Sequence, residues 1–313
     1  MKIGLNTDSL AHLSLTETLD FAAELGLDHV EFATGGWSSA PHVNVDRLLD
    51  EEGTRRDLQA QLSERGLRIS ALTCSGNPLD PGPAGRAHDA TTRKTIKLAA
   101  LLGIERVVMM SGLPAGPGDT HPNWVVVSWP PEATQLLEWQ WREAVLPYWR
   151  ELSSYSRGHG VEKLCLELHA HQVVYNVPSL LRLREEIGPI VGANLDPSHL
   201  MWMGGDAIEA IRALGEAIYH VHAKDTRLEP GVALRTRLEN LPLFGGDRAE
   251  RAWNYVTLGD GNGEDFWRRF CATLDEVGYR DVLSIEHEDT ALTPEDGVSN
   301  TVDFLRRVAP IHV

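Results

Sequence analysis

Short apolar runs alternate with longer amphipathic stretches from one end of the chain to the other. The runs are KIGLNT (2–7), HVEFAT (29–34), LRISALTCSG (67–76), RVVMMSG (106–112), KLCLELH (163–169), VGANLDPSH (191–199), AIYHVHAKD (217–225) and VLSIEHED (282–289). Their length and composition predict β-strands. Between them, apolar residues recur every three or four positions, as in LTETLDFAAELGL, DRLLDEEGTRRDLQAQLSERG, TRKTIKLAALLG, LEWQWREAVLPYWRELSSYSRGHG, SLLRLREEIG, DAIEAIRALG, EDFWRRFCATLDEVG and SNTVDFLRRVA. That spacing predicts helices, most of them stopped by Gly. In the first, Ser14 and Glu17 form a capping box.

Eight strand and helix pairs over 313 residues, about 39 residues each, predict an α/β chain folded as a single (β/α)8 TIM barrel domain spanning 1–313. A doubly wound sheet is disfavoured because no GxGxxG follows the first strand. Two connections are far longer than an ordinary βα loop: 112–133 after strand four and 226–263 after strand seven. In a barrel both lie on the face where active sites are built, so they are expected to act as lids or substrate walls.

Composition narrows the function classes. The charge of −16 repels nucleic acid and anionic lipid. No apolar stretch is long enough for a membrane helix, and the first ten residues carry no export signal, so a cytoplasmic protein is expected. Cys74, Cys165 and Cys271 are far apart and odd in number, as expected of free thiols.

Candidate chemistry gathers near the C-terminal ends of the last four runs: Glu167 in LCLELH, Asp196 in ANLDPSH, His222 in YHVHAKD and Glu286 in LSIEHED. Strand alternation puts Cys165, Glu167 and His169 on one face, and Ser284, Glu286 and Glu288 likewise. Burying several ionisable groups is unfavourable by several kcal/mol unless they pair or bind a cation. Two Glu, one Asp and one His make an oxygen-rich set suited to Mn2+, Mg2+ or Co2+, with Zn2+ also accommodated. The competing arrangement is a buried salt-bridge network with Lys224 or Arg227.

LELH, NLDPSH, HVHAKD and SIEHED resemble the motifs of the xylose isomerase-like barrel superfamily, the sugar phosphate isomerase/epimerase family, over the whole chain. The resemblance implies that Glu167, Asp196, His222 and Glu286 hold one divalent ion, usually Mn2+. It also implies that Glu167 and Glu286 serve as acid and base on opposite faces of a keto-sugar, and that His199 contacts sugar hydroxyls. The sequence is similar as well to the large subunits of bacterial C-glycoside deglycosidases, which act on 3-keto-glycosides and pair with a small second subunit. A homo-oligomer or such a subunit is therefore among the partners to consider, beside a sugar or glycoside substrate.

Further candidates are His169 and His121 as bases, and Lys224, Arg227, Trp124 and Asn77 as substrate contacts. Asn6, Asp8 and Glu31 are candidates for supporting or sugar-contacting roles, and His171, His220 and His287 for supports. Trp37, Trp124, Trp129, Trp202, Phe244, Trp253 and Tyr255 follow strand ends and suit sugar rings or flat aglycones. GDGNG (259–263) reads as a turn rather than a phosphate cradle.

Three activities fit these residues. The first is proton removal beside a sugar carbonyl, giving isomerisation or epimerisation. The second is the same enolate expelling a leaving group, as in a keto-glycoside lyase. The third, implied only because that family shares the superfamily barrel, is an abasic-site endonuclease, which the acidic charge opposes.

Overall fold

The computed structural model describes residues 1–236, 238–243 and 245–310; Phe244 lies outside them. Among the described residues ten strands form: β1 (Lys2–Asn6), β2 (His29–Gly36), β3 (Arg68–Ser75), β4 (Arg106–Met109), β5 (Lys163–Glu167), β6 (Val191–Leu195), β7 (Ile218–Ala223), β8 (Asp225–Leu228), β9 (Trp253–Val256) and β10 (Val282–Ile285). Eight of them close a barrel in the order β1-β10-β7-β6-β5-β4-β3-β2, and β8 and β9 form a separate two-stranded sheet. The chain is thus a TIM barrel of the α/β class, with one barrel strand from each of the eight apolar runs.

Several strands stop short of the runs that predicted them, leaving polar residues such as Asp196, Lys224 and Glu286 beyond the ladder, whereas β2 runs on to Gly36. VGANLDPSH ends as a strand at Leu195, because Pro197 has no N–H to donate to a ladder and is instead suited to the first turn of a helix. Asp196 caps the helix Pro197–Met203, its carboxylate accepting from the Ser198 N–H at 2.8 Å. The expected helix over 46–66 is broken in two at Glu51, whose backbone is extended and whose carboxylate takes Arg47 and Thr54. TRKTIKLAALLG belongs to a longer helix, Pro83–Leu102, again opened by a proline in its first turn. The helical stretch from Pro131 to Gly158 passes through a π-turn at Trp141–Val145, just before Pro147 removes a backbone donor.

The chain forms two compact units that alternate along the sequence. One comprises Met1–Glu31, Gln61–Arg68 and Leu195–Val313; the other comprises Phe32–Ala60 and Ile69–Asn194. The long loop after β4 belongs to the second. It contains a single bridge, Ala115 to Pro122, and is tied down by Gln140, whose Nε2 donates to the carbonyls of Pro114 and Asn123 at 2.9 and 2.8 Å. The insertion after β7 belongs to the first and is no structureless loop, since it holds the β8–β9 hairpin and the helix Pro230–Thr236. All three cysteines are buried, and burial pushes the Cys74 and Cys271 thiols up to about 11 and about 12. No described helix is long and apolar enough to cross a membrane.

Candidate metal centre

Register decides which side chains share a face. Asn6 stands opposite Glu31, Gly4 opposite Ser284, and Ser284 opposite His222. In-register neighbours of a parallel ladder point the same way and alternate residues repeat the direction, so Asn6, Glu31, His220, His222, Ser284 and Glu286 project from one face. In the other unit, Glu167 stands opposite Asn194 in the β5–β6 ladder, two residues before Asp196.

In the first unit, Asp196, His222 and Glu286 converge. His222 Nδ1 lies 2.8 Å from Glu286 Oε2, and His199 Nε2 lies 3.2 Å from Asp196 Oδ2. Lys224 Nζ is 3.3 Å from Glu286 Oε1, 2.7 Å from Glu288 Oε2 and 4.0 Å from Asp196 Oδ2, and sits 4.3 Å over the Tyr255 ring. The Tyr255 hydroxyl lies 3.0 Å from His199 Nδ1 and hydrogen-bonds to it, while His199 Nε2 faces Asp196. Beneath them, Glu31 is fully buried. It accepts from His220 Nε2 at 2.7 Å, from Ser284 Oγ at 2.7 Å and from His222 Nε2 at 3.2 Å.

The charge states follow from these contacts. Burial opposes ionisation of Glu286, but Lys224 and then His222 outweigh it and hold the carboxyl at about 2. Burial likewise opposes the charge on Asp196, and His199 and Lys224 bring it below the usual carboxylate range. Burial would lower His222, yet Glu31 and Glu286 hold it well above the ordinary imidazole value. The pocket therefore presents carboxylates, in the form that binds cations.

Two atoms give this cluster its chemical character. Asp196 Oδ2 and Glu286 Oε2 are buried without a well-aligned donor, and each is charge-paired instead with a histidine nitrogen within 3.2 Å. Close contact without hydrogen-bond alignment is what donors arranged around an ion would show, and a buried carboxylate oxygen left otherwise unsatisfied is unfavourable. The buried Glu and His side chains can accommodate a divalent metal.

The remaining candidates are placed as follows. Lys224 joins the cluster, whereas Arg227 is half exposed and turns to Glu229, with its Nε and Nη2 2.9 and 2.8 Å from one carboxylate oxygen. Asn77 is committed to backbone: its Nδ2 donates to Leu113 O at 2.9 Å and its Oδ1 accepts from the Leu113 and Leu79 N–H groups. His121 is exposed and contacts Thr120 Oγ1 at 3.0 Å, and His169 Nδ1 lies 2.6 Å from the Ala170 carbonyl. Trp124 packs edge-on against His171 and Tyr175.

The aromatic residues of the β7 insertion pack on one another. The Trp202 and Trp253 rings stack 4.5 Å apart, Trp253 leans on Tyr255, and all three are buried. They pin the hairpin to the helix that follows Asp196 and present no open platform, whereas Trp37 and Trp129 remain exposed. Sequence reading singled out Tyr255 only as an aromatic. Its contacts with His199 and Lys224 connect residues 56 and 31 positions apart, which no local pattern reveals.

GDGNG encloses an internal anion. The N–H groups of Gly259, Gly261 and Asn262 converge on Asp225 Oδ2 at 3.0, 3.3 and 3.0 Å, joined by Trp267 Nε1 at 3.2 Å. Asn262 Nδ2 and the Thr226 N–H hold the other oxygen, each at 2.8 Å. A Cβ on Gly261 would lie 2.5 Å from the Thr226 carbonyl oxygen, so the close wrap requires glycine there. The nest that could have cradled a phosphate is already filled by this side chain.

Comparison with known proteins agrees with this architecture. The chain is 47% identical over 311 residues to the uncharacterized protein YfiH of Bacillus subtilis (strain 168), covering 98% of this chain and 99% of that one. Among solved structures it resembles the probable 3-DHS dehydratase AsbF of Bacillus anthracis (TM-score 0.68, 19% identity, 98% and 99% of the two chains). It also resembles a D-tagatose 3-epimerase-like protein (TM-score 0.63, 21% identity, 98% of each chain). At these identities the structural likeness concerns the fold. The xylose isomerase-like TIM barrel profile matches residues 19–308, and the chain belongs to that family.

Proposed function

We propose that this protein is a divalent-metal-dependent enzyme that removes a proton beside the carbonyl of a keto-sugar or sugar derivative, as an isomerase or epimerase. The observation that carries the reading is the convergence of two buried carboxylate oxygens without a well-aligned donor, Asp196 Oδ2 and Glu286 Oε2, with His222 Nδ1 in one cluster. Glu167 is the fourth ligand in this proposal. It ends β5, whose ladder with β6 pairs it with Asn194, two residues before Asp196, and an ion held by Asp196, His222 and Glu286 would take Glu167 as its fourth donor in this reading. An epimerase-like protein among the structural neighbours supports the same reading.

An ion held there would polarise a sugar carbonyl and its adjacent hydroxyl and favour Mn2+, with Mg2+, Co2+ or Zn2+ as substitutes. The chain's own residues supply the proton transfers. Glu286, ionised and anchored through its second oxygen by Lys224, is set to take a proton. Glu167 is its counterpart on the other side of the substrate in this proposal, delivering a proton of its own to the same or the neighbouring carbon while Glu286 keeps the one it took. Lys224 and His199 line the same cluster and are the polar groups we assign to substrate oxygens. Because Asp225 fills the glycine-rich nest, the substrate we assign carries no phosphate recognised there.

A second reading uses the same enolate to expel a β leaving group, as in a dehydratase or a keto-glycoside deglycosidase with a small partner subunit. The likeness to a probable dehydratase favours keeping it in the test. Incubating Mn2+-loaded protein in D2O with free keto-sugars and with 3-keto-glycosides separates the two. Deuterium entering beside the carbonyl, with interconversion of sugars, is the expected result. Aglycone release or dehydration without sugar interconversion would replace it with the lyase reading, and no exchange with any carbonyl sugar would overturn both.

A further inference from the structure

We propose that Glu31 is a positioning residue that fixes His222 as an ion ligand, with His220 and Ser284 as its supports. This rests on the metal reading above and extends it to a strand that supplies no ligand.

A carboxylate as buried as Glu31 is strongly unfavourable unless its oxygens are paired. Here the pairing comes from two other strands: His220 and His222 on β7 and Ser284 on β10. Ser284 Oγ and His220 Nε2 both donate to Oε2, each at 2.7 Å. His222 Nε2 spans the two oxygens, at 3.2 Å from Oε1 and 3.3 Å from Oε2. An ionised carboxylate can only accept, so the His222 Nε2 must carry a hydrogen and donate it. The other ring nitrogen, Nδ1, faces Glu286 Oε2 at 2.8 Å. Glu31 thereby keeps the hydrogen on Nε2, so that an ion bound at the site would displace the proton from Nδ1 and not from Nε2, and the four-residue cluster sets the ring's orientation.

Glu31, His220 and His222 could themselves be grouped around an ion. Every contact among them, however, matches a donor with an acceptor at hydrogen-bond length, which reads as support rather than as a second metal site. His220 and Ser284 then have a reason to be where they are. Two donors on Oε2 hold the carboxylate in one rotamer and leave Oε1 facing His222.

The test uses the full chain, Mn2+ titration by calorimetry, and a 15N spectrum of the histidine rings in Zn2+-loaded protein. Glu31→Gln should fold and bind Mn2+ about 10- to 100-fold more weakly, and Glu31→Asp should recover part of the loss. In the wild type the His222 ring should be protonated at Nε2 alone, and in Glu31→Gln that signature should be lost or mixed. Wild-type affinity in Glu31→Gln, or a wild-type His222 protonated at Nδ1, would overturn the inference. If Glu31→Gln does not fold, Ser284→Ala is read by the same two measurements, and unchanged values there overturn it equally. A native wild type that binds no Mn2+ removes the metal reading and this inference together. A wild type that binds beside an equally tight Glu31→Gln removes only the inference.

Discussion

Replacing Glu286 by Gln is expected to lower turnover about 1,000-fold, the middle of the range for losing a positioned acid or base, while leaving the fold intact. The loss arises twice over. Gln is a poor ion ligand at the position of Oε2, and it cannot take a proton. The fold should survive because each group that Glu286 neutralises has a second partner. Lys224 keeps Glu288 at 2.7 Å, and His222 keeps Glu31 at 3.2 Å. Initial rates on the substrate identified in D2O, together with a thermal melt, check both halves. A Glu286→Gln enzyme of wild-type rate would refute the assigned chemistry, and a variant that unfolds would refute the claim that the site is separable from the core.

Asp225→Ala should produce the largest loss of stability of any single substitution near the site, about 3–5 kcal/mol, as two buried and four part-buried donors lose their acceptor at once. The donors are the N–H groups of Thr226, Gly259, Gly261 and Asn262, the Asn262 amide and the Trp267 indole. Leaving one buried donor unsatisfied is unfavourable by about 1–3 kcal/mol, and water entering the space would recover part of the sum. Asp225→Asn preserves shape and one acceptor oxygen, so it should fall between the two. Urea unfolding of the three proteins measures this, and a change below about 1 kcal/mol in Asp225→Ala would show that the loop does not depend on its internal anion.

The barrel was legible because eight apolar runs, spaced by helical periodicity, leave few other folds. What the pattern could not show is where each strand ends. LDPSH and HAKD continue their apolar runs, but Pro197 and the turn at Lys224 take the chain out of the ladder, which puts Asp196 and Lys224 at the site. The acids and histidine of the site were legible individually, because each is a charged or polar residue in the inward phase of a strand. Their supports were legible only as single candidates, Glu31 and His220 among them, and not as a network. Glu31 is one acid in HVEFAT, and its partners lie 189, 191 and 253 residues away. Asp225 explains GDGNG only once the fold brings that loop back over 34 to 37 positions. The aromatic residues show the opposite failure: Trp202, Trp253 and Tyr255 suit a sugar ring by type, yet their faces are spent on one another.

The central claim is that Asp196, His222, Glu286 and Glu167 hold one divalent ion, and direct titration of metal-free protein with Mn2+ tests it most simply. The account predicts a single site per chain in the wild type, and loss of that site in Asp196→Asn while the circular dichroism spectrum stays native. A wild type that binds no Mn2+, Zn2+ or Co2+, or an Asp196→Asn variant that binds as tightly as the wild type, would contradict it.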